Sequence, residues 1–463
     1  KIFHLIKTQI SIFFQNELFL HSKKRKMKRK FIIVLFIVVS SCSNLEYDKS
    51  NVENSKWIHL AIKNLTDVIV YDIFSPPVAS RVYTYPSIAA YEIIRLKDTV
   101  NYLSLSSQLK GLNSIPKPQE NIDFNIAAIE AIRIIGKKLI FSEDRYEKFF
   151  EINYDEIHKN IPNKIIRNSK KYAREVSDHI IEWSSKDNYA QTRTFPKYTI
   201  INEPDFWKPT PPDYMDGIEP HWNKIRTMVI DSCSQFSAKD PYPFSLDKKS
   251  EFYKQLIEVY DITNNLSDEQ VEIAKFWDCN PYVSHHKGHA MFATKKITPG
   301  GHWINICRIA AEKANSNDIE SLRTYSLVSI SLFDAFISCW DDKWKTIVVR
   351  PETVINEYID EDWLPLLQTP PFPEYTSGHS VISRSAAIML TEIYGDNFQF
   401  DDTSELEFGL PVRSYNSFIQ ASEEAAISRL YGGIHYEMAI TNGVSQGEKI
   451  GEFITNKLTT LKK

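Results

Sequence analysis

The sequence has 463 residues, of which 43% are hydrophobic and 25% charged, so it can bury a large core as one domain or two packed halves. The formal net charge is −4, and it becomes −12 without residues 1–41, which carry nine basic residues and one acidic residue. This acidic balance argues against a nucleic-acid partner.

The N-terminal segment has the pattern of an export signal. Met27 is followed by three basic residues and by the nine apolar residues Phe31 to Val39, too few for the roughly 20 that cross a bilayer as a helix. Residues 39–42 (VSSC) resemble a bacterial lipobox, in which Cys42 would carry the lipid. The alternative is a plain secretory signal. We therefore expect residues 1–41 to be an upstream extension and signal peptide, and the protein to be periplasmic or an outer-membrane-anchored lipoprotein.

The first half of the mature chain has helical periodicity. Apolar residues recur at helical spacing from Trp57 until Pro76 and Pro77 interrupt them. Further helices are predicted at 88–96, 125–141, 143–160 and 168–185. Prolines and aromatic residues alternate over 186–220, which favours a crossing segment packed on the surface. Residues 42–220 are thus predicted to form an N-terminal helical bundle with a crossing segment.

The second half, residues 221–463, is predicted to form a C-terminal helical bundle that contains the active site. Short strands are expected only near 346–349. The fold class is therefore all-α, with two packed helical bundles. The predicted helices span 248–261, 267–276, 318–340, 379–394, 417–430 and 435–458.

Cysteine and histidine spacing gives no metal motif. Cys233, Cys279, Cys307 and Cys339 contain no C-x-x-C pair, and no disulfide pairing follows from the sequence. The histidines at 285, 286 and 289 have a spacing that suits a metal on a helix, but no carboxylate motif accompanies them. We interpret them as structural, and His302 as part of an active-site wall or its support.

Three short segments carry the candidate chemistry. In residues 343–351 (KWKTIVVRP), Lys343 supplies a point charge and Arg350 a two-pronged donor for adjacent oxygens of an anion. In 377–379 (SGH), Ser377 and Gly378 stand at a predicted helix start, where hydroxyl and free N–H groups attract anions. In 428–435 (SRLYGGIH), a glycine turn separates Arg429 from His435. Together they predict an oxyanion site for phosphate or vanadate.

The order K-x6-R-P, S-G-H, S-R-x5-H resembles the signature shared by vanadium-dependent haloperoxidases and type-2 phosphatidic acid phosphatases. The resemblance implies that the cofactor-binding residues are Lys343, Arg350, Ser377, Gly378, Arg429 and His435. It implies that His435 is the metal ligand to vanadium or the phosphatase nucleophile, and that His379 is the acid–base catalyst. Thr376 stands where the family usually has proline, which leaves every ligand in place.

Flanking residues favour the haloperoxidase branch. Trp340 and Phe372 occupy the positions of the family's halide-pocket aromatics, and Tyr282 and Asp341 are further candidates for that pocket. Residues 276–278 (FWD) and 299–303 (PGGHW) extend the similarity, which is greatest to iodoperoxidases of marine flavobacteria. The resemblance thus implies vanadate as cofactor, hydrogen peroxide and a halide, iodide first, as substrates, and hypohalous acid as product.

Two alternatives remain open at this stage. A periplasmic acid phosphatase would use the same residues, with a phosphohistidine at His435 and protonation of the leaving group by His379. A noncatalytic lipoprotein with a vestigial site would bind neither anion. Oligomeric state does not follow from the sequence.

Overall fold

The computed structural model describes residues 55–287 and 289–462. The predicted signal peptide and Cys42 lie outside these residues. The described residues up to Lys159 and from Asn163 onwards belong to one compact unit. Within the described ranges, no helix combines the length and the apolar character that crossing a bilayer requires.

The structure is built from α-helices with two short hairpins, which confirms the predicted all-α class. The N-terminal helices are α1 (Lys56–Asp72), α2 (Pro76–Ile94), α3 (Phe124–Leu139), α4 (Glu143–Ile152), α5 (Tyr154–Ile157), α6 (Asn163–Ser184) and α7 (Tyr189–Thr192). The later elements are α8 (Glu251–Asn264), α9 (Asp268–Phe276), β1 (Val283–Lys287), β2 (Ala290–Thr294), α10 (Pro299–Lys313), α11 (Asp318–Thr346), α12 (Pro351–Tyr358), α13 (Gly378–Tyr394), β3 (Phe400–Asp402), β4 (Arg413–Tyr415), α14 (Phe418–Tyr431) and α15 (Glu437–Lys457). The predicted boundary near residue 220 stays a prediction.

Several elements differ from the sequence prediction. Helices α10 and α12 were not expected, because their first turns contain glycine or follow a strand-like run, yet each begins with proline at a position that needs no N–H. The helix predicted at 143–160 is divided into α4 and α5. The 346–349 segment makes a single bridge, between Val348 and Phe206, whereas β1 pairs with β2 and β3 with β4 as antiparallel hairpins.

Helix α11 is the central element of the core. It begins with a capping box between Asn317 and Glu320, and most of its 29 residues are buried. It packs against α2, α10, α13 and α15. Its Asp334 accepts hydrogen bonds from the backbone N–H groups of residues 228, 229 and 230, at 2.6–3.0 Å. This buried carboxylate holds residues 228–230, which follow the predicted crossing segment, against the core.

Helices α13 and α15 approach each other closely because glycines line their contact. A Cβ atom on Gly443 would lie 2.9 Å from the Ser380 side chain, and one on Gly447 would lie 2.2 Å from the Val381 carbonyl oxygen. A Cβ on Gly451 would lie 2.8 Å from Ile388. The three glycines are four residues apart and therefore share one face of α15. This face sets the position of α13, whose first turn carries the SGH motif.

Replacing Gly447 with alanine tests this packing. Alanine raises helix propensity by about 1 kcal/mol, but here its methyl group meets a backbone oxygen, and overpacking costs about 1–3 kcal/mol. We expect Gly447→Ala to lower the free energy of unfolding, measured by urea denaturation. The exposed Ser445→Ala on the same helix is the control and should change it by less than about 0.5 kcal/mol. A stabilised Gly447→Ala variant would contradict the proposed contact.

Candidate active site

The three sequence motifs meet at one cavity of about 320 Å³. Helix α11 brings Lys343, and the segment between α11 and α12 brings Arg350. The start of α13 brings Ser377 to His379, the last turn of α14 brings Arg429, and the connection from α14 to α15 brings His435. The cavity is lined by Trp340, Phe372, Gly378, His379, Arg429 and His435. Lys343, Arg350 and Ser377 are buried around it. The structure therefore assembles every predicted oxyanion-binding residue at one place.

His435 is held in one orientation by a buried carboxylate. Its Nδ1 lies 2.7 Å from Glu374 Oε1, which also accepts the Tyr436 backbone N–H at 3.0 Å. We assign the proton to Nδ1 because Arg350 Nη1, which can only donate, lies 3.1 Å from Nε2. Burial first, and then Arg350 and Lys343, hold the pKa of His435 well below its usual value. The ring is therefore neutral, and its Nε2 carries a lone pair.

Glu374 was missed in the sequence. Burial raises its pKa to about 7, while Arg350, Lys343 and the Tyr436 N–H act in the opposite direction. Its second oxygen, Oε2, is buried without a hydrogen-bond partner. The one available signal was an acidic residue within the otherwise apolar stretch 370–375.

Arg350 has one guanidinium nitrogen that lacks an acceptor. Its Nε donates to the Phe372 carbonyl at 3.0 Å, and its Nη1 donates to the Ile434 carbonyl at 2.7 Å and lies 3.1 Å from His435 Nε2. Its Nη2 is buried and has no partner. Burial lowers the pKa of Arg350 only to about 10, so it stays charged at neutral pH. A buried charged donor without an acceptor is costly, and an anion in the cavity would supply that acceptor.

Lys343 donates to three backbone carbonyls. Its Nζ lies 2.9 Å from Pro373 O, 3.0 Å from Glu374 O and 2.5 Å from Thr376 O. Burial lowers its pKa to about 7. These bonds shape the loop before the SGH motif, and Lys343 would have to exchange one of them to bind an oxyanion directly. Its role as an anion ligand stays a prediction.

The Thr376 side chain anchors the same loop. Its hydroxyl donates to Gln446 Oε1 on α15 at 2.8 Å, and Gln446 Nε2 donates to Asp342 and Ser338 on α11. The threonine at the family's usual proline position therefore joins two helices to the SGH turn. At that turn, Ser377 Oγ accepts the Ser380 N–H at 3.3 Å and caps α13.

His379 and Arg429 share the backbone carbonyl of Trp277. Arg429 Nη2 donates to it at 2.7 Å, and His379 also forms a hydrogen bond with it. His379 Nε2 is buried without a partner, so Nδ1 makes that bond and Nε2 holds a lone pair. Burial first, and then Arg429 and His302, hold the pKa of His379 well below its usual value. This carbonyl has no signature in the sequence, because any residue type supplies one.

The predicted halide pocket is formed in part. The rings of Trp340 and Phe372 lie 5.1 Å apart at the cavity wall, and Tyr282 also lines it. Asp341 does not line this cavity, since it follows Trp340 on α11 and points about 100° away around the helix. Its carboxylate accepts a hydrogen bond from Asn223 at 2.7 Å instead. The expectation for Asp341 was therefore wrong in its placement.

The remaining histidines lie outside the cavity lining. His285 lies on β1 rather than on a helix, and its Nε2 is 3.0 Å from Thr294 Oγ1, while His289 is in the following turn. The i, i+4 metal geometry is therefore absent from this segment. His302 is buried behind Trp277, whose ring it stacks on at 4.5 Å.

The chain resembles known proteins in sequence and structure. A family model for the second helical-bundle domain of VCPO matches residues 356–463. A crystal structure described as that of the first bacterial vanadium-dependent iodoperoxidase is 51% identical, with a TM-score of 0.84, and the match covers 88% of this chain and 97% of that one. Two crystal structures of a bacterial vanadium-dependent chloroperoxidase share the fold at 15% identity. The holo structure has a TM-score of 0.66, and the match covers 89% of this chain and 99% of that one. The apo structure has a TM-score of 0.61, and the match covers 84% of this chain and 96% of that one. A comparison with curated proteins gives no match.

Replacing Glu374 tests its control of His435. We expect Glu374→Ala to release His435 into a mixture of tautomers, whereas Glu374→Gln, which keeps an acceptor oxygen, should retain the Nδ1–H form. The measurement is the imidazole ¹⁵N NMR spectrum without cofactor. The alanine variant should also lose about 1–3 kcal/mol of stability through the unpaired Tyr436 N–H and His435 Nδ1–H. An Nε2–H tautomer in the unaltered protein would overturn the assignment.

Proposed function

Since the chain belongs to the vanadium-dependent haloperoxidase family, we propose that this cavity binds vanadate and oxidises a halide, iodide above all, to hypohalous acid with hydrogen peroxide. The observation that carries the proposal is the neutral His435 Nε2 beside two unpartnered buried nitrogens, Arg350 Nη2 and His379 Nε2. All three belong to residues that line the cavity or contact one that does.

The residues fit an anionic cofactor. Lys343, Arg350 and Arg429 are at most 2% exposed, while the carboxylates of Glu374 and Asp278 act on Arg350 and Arg429 respectively. A buried cationic donor that still has a nitrogen without an acceptor, as Arg350 has at Nη2, favours an anion in the cavity. The side chains that would hold vanadate are the three cations with Ser377 and the Gly378 backbone, while His435 Nε2 would be the ligand to vanadium once Arg350 Nη1 moves aside.

The protein's own groups account for proton transfer and halide access. Bound vanadate supplies Lewis acidity toward hydrogen peroxide. His379, neutral and unpartnered at Nε2, can accept a proton from the oxidant and return it to the product. Trp340 and Phe372 present aromatic surface at the cavity wall, which limits water and suits a large, weakly hydrated halide. This surface and the similarity to an iodoperoxidase support iodide as the preferred halide.

The acid phosphatase alternative uses the same histidines but is not favoured. Its nucleophile would be His435 Nε2 and its acid His379, which the site's geometry also permits. The structure with 51% identity is, however, that of a haloperoxidase.

We also propose that the protein is exported, with a lipid anchor at Cys42. This rests on the N-terminal sequence pattern alone. The mass of the mature N-terminus would distinguish a lipidated Cys42 from a plain secretory cleavage.

Replacing His435 with alanine should abolish iodide oxidation, with a decrease in kcat of at least about 100-fold, because the vanadium ligand is lost. The assay supplies vanadate, hydrogen peroxide and iodide. His285→Ala, on the β1–β2 hairpin, is the control and should retain activity. Vanadate-dependent peroxidase activity in the His435→Ala variant would contradict the assignment.

Comparison of three halides tests the substrate preference. We expect kcat/KM to fall from iodide to bromide to chloride, because iodide is the easiest to oxidise. Hydrolysis of a chromogenic phosphomonoester, measured without vanadate, tests the acid phosphatase alternative. Efficient chloride oxidation would refute the iodide preference, and phosphate ester hydrolysis without halide oxidation would favour the phosphatase.

A further inference from the structure

A second cluster of reactive side chains adjoins the cavity, whose lining includes Cys279. Cys279 follows α9, His302 is in the first turn of α10, and Asp402 and Glu405 belong to β3 and the turn after it. Each is at most 1% exposed. None of them is assigned a role in halide oxidation above.

His302 is oriented by Asp402. Its Nε2 lies 2.8 Å from Asp402 Oδ2, and the Ser404 backbone N–H donates to the other carboxylate oxygen at 2.9 Å. A carboxylate that accepts one ring N–H and leaves the other nitrogen to a metal is the common support for a metal-bound histidine. Here the other nitrogen, Nδ1, faces Cys279 and Glu405.

The three donor atoms have the spacing of ligands around one ion. His302 Nδ1 lies 3.4 Å from Cys279 Sγ and 3.1 Å from Glu405 Oε1, and all three atoms lie within 4.8 Å of one another. With bonds of about 2.3 Å to sulfur and about 2.0–2.1 Å to nitrogen, two ligands of a tetrahedral zinc ion stand about 3.3–3.6 Å apart. The three donor atoms would therefore need to move only by small distances to bind one zinc ion.

Glu405 completes the donor set. Its Oε1 is buried and lies 3.1 Å from His302 Nδ1, with which it forms an ion pair when the imidazole is protonated. Lys296, a second cation that acts on Glu405, is bound to Asp278 at 2.8 Å. A metal ion at Oε1 would replace the imidazole proton as the positive partner of this buried carboxylate.

We propose that Cys279 Sγ, His302 Nδ1 and Glu405 Oε1 bind a divalent transition metal ion, foremost Zn²⁺, with Asp402 as the group that orients His302. Thiolate, imidazole and carboxylate are the ligand types of zinc. Binding releases the proton of the Cys279 thiol and the one on His302 Nδ1 to solvent. A fourth position is left for water.

The alternative is a protonated His302 between two carboxylates. Although burial lowers it, Asp402 and Cys279 hold the pKa of His302 well above its usual value in the metal-free protein. A metal ion must therefore displace a proton, which weakens binding but does not change the ligand geometry.

The site would stabilise the support of the active centre. Cys279 lies two residues after Trp277, whose carbonyl accepts from Arg429 and His379 and whose ring stacks on His302. A metal ion on Cys279 would therefore fix the segment that positions a cation and the acid–base group. This consequence rests on the proposed function, whereas metal binding itself does not.

Metal analysis tests the proposal directly. Full-length protein purified without chelator should contain about one zinc per chain by plasma mass spectrometry. Titration of metal-free protein with Co²⁺ should produce a thiolate-to-cobalt charge-transfer band. The band should be absent from Cys279→Ser and present in Cys307→Ser, a control that removes another fully buried cysteine on the same helix as His302.

Glu405→Gln keeps the size of the side chain and decides the result if Cys279→Ser fails to fold. It should weaken Zn²⁺ binding by at least 10-fold, while Glu407→Gln, two residues away and half exposed, should not. Folded protein that binds neither Zn²⁺ nor Co²⁺, or that keeps the band without Cys279, would overturn the proposal. These readouts need no vanadate, so they stand whether or not the enzyme oxidises halides.

Discussion

The burial of three cations around one cavity is the constraint on which the rest of this structure depends. Lys343, Arg350 and Arg429 are at most 2% exposed, and moving such charges out of water is expensive unless each finds partners. The chain supplies those partners mainly from its backbone. Carbonyl groups accept without carrying charge, so these contacts do not neutralise the arginines as direct pairing with carboxylates would.

This use of carbonyls explains the surrounding architecture. Residues 372–376 supply acceptors to Lys343 and Arg350, Ile434 to Arg350, and Trp277 to Arg429. Each of these segments lies between helices, where carbonyls are free of helical hydrogen bonds. The glycine face of α15 and the Gln446 network then hold these segments against the core. The helices thus hold in place the connecting segments that form the site.

Glu374 is an exception that gives the site its direction. Glu374 accepts a hydrogen bond from His435 Nδ1–H. The lone pair of His435 Nε2 is therefore directed toward the cations. An imidazole beside several cations would stay neutral in any case, but without this partner its tautomer would not be fixed. The same arrangement occurs at His302 and Asp402, where the free nitrogen faces a thiol and a carboxylate. In both cases a buried carboxylate selects which histidine nitrogen is available.

The sequence by itself determined the helical class, from apolar periodicity. It also predicted an oxyanion-binding set (Lys343, Arg350, Ser377, Gly378, Arg429 and His435) and an acid–base residue (His379), because these residues occur in an ordered pattern of distinct chemical types. It could not identify the groups whose role depends on contacts between residues that are distant in sequence. Glu374 and the Trp277 carbonyl have no pattern of their own, and Cys279, His302 and Glu405 are distant in sequence and meet only through packing. Asp341 shows that neighbours in sequence need not share a site. It follows Trp340, but successive residues of a helix point about 100° apart, so its side chain lies away from the cavity. Tertiary structure decided these points because hydrogen bonds and metal geometry depend on distances of a few ångströms, which sequence neighbours do not fix.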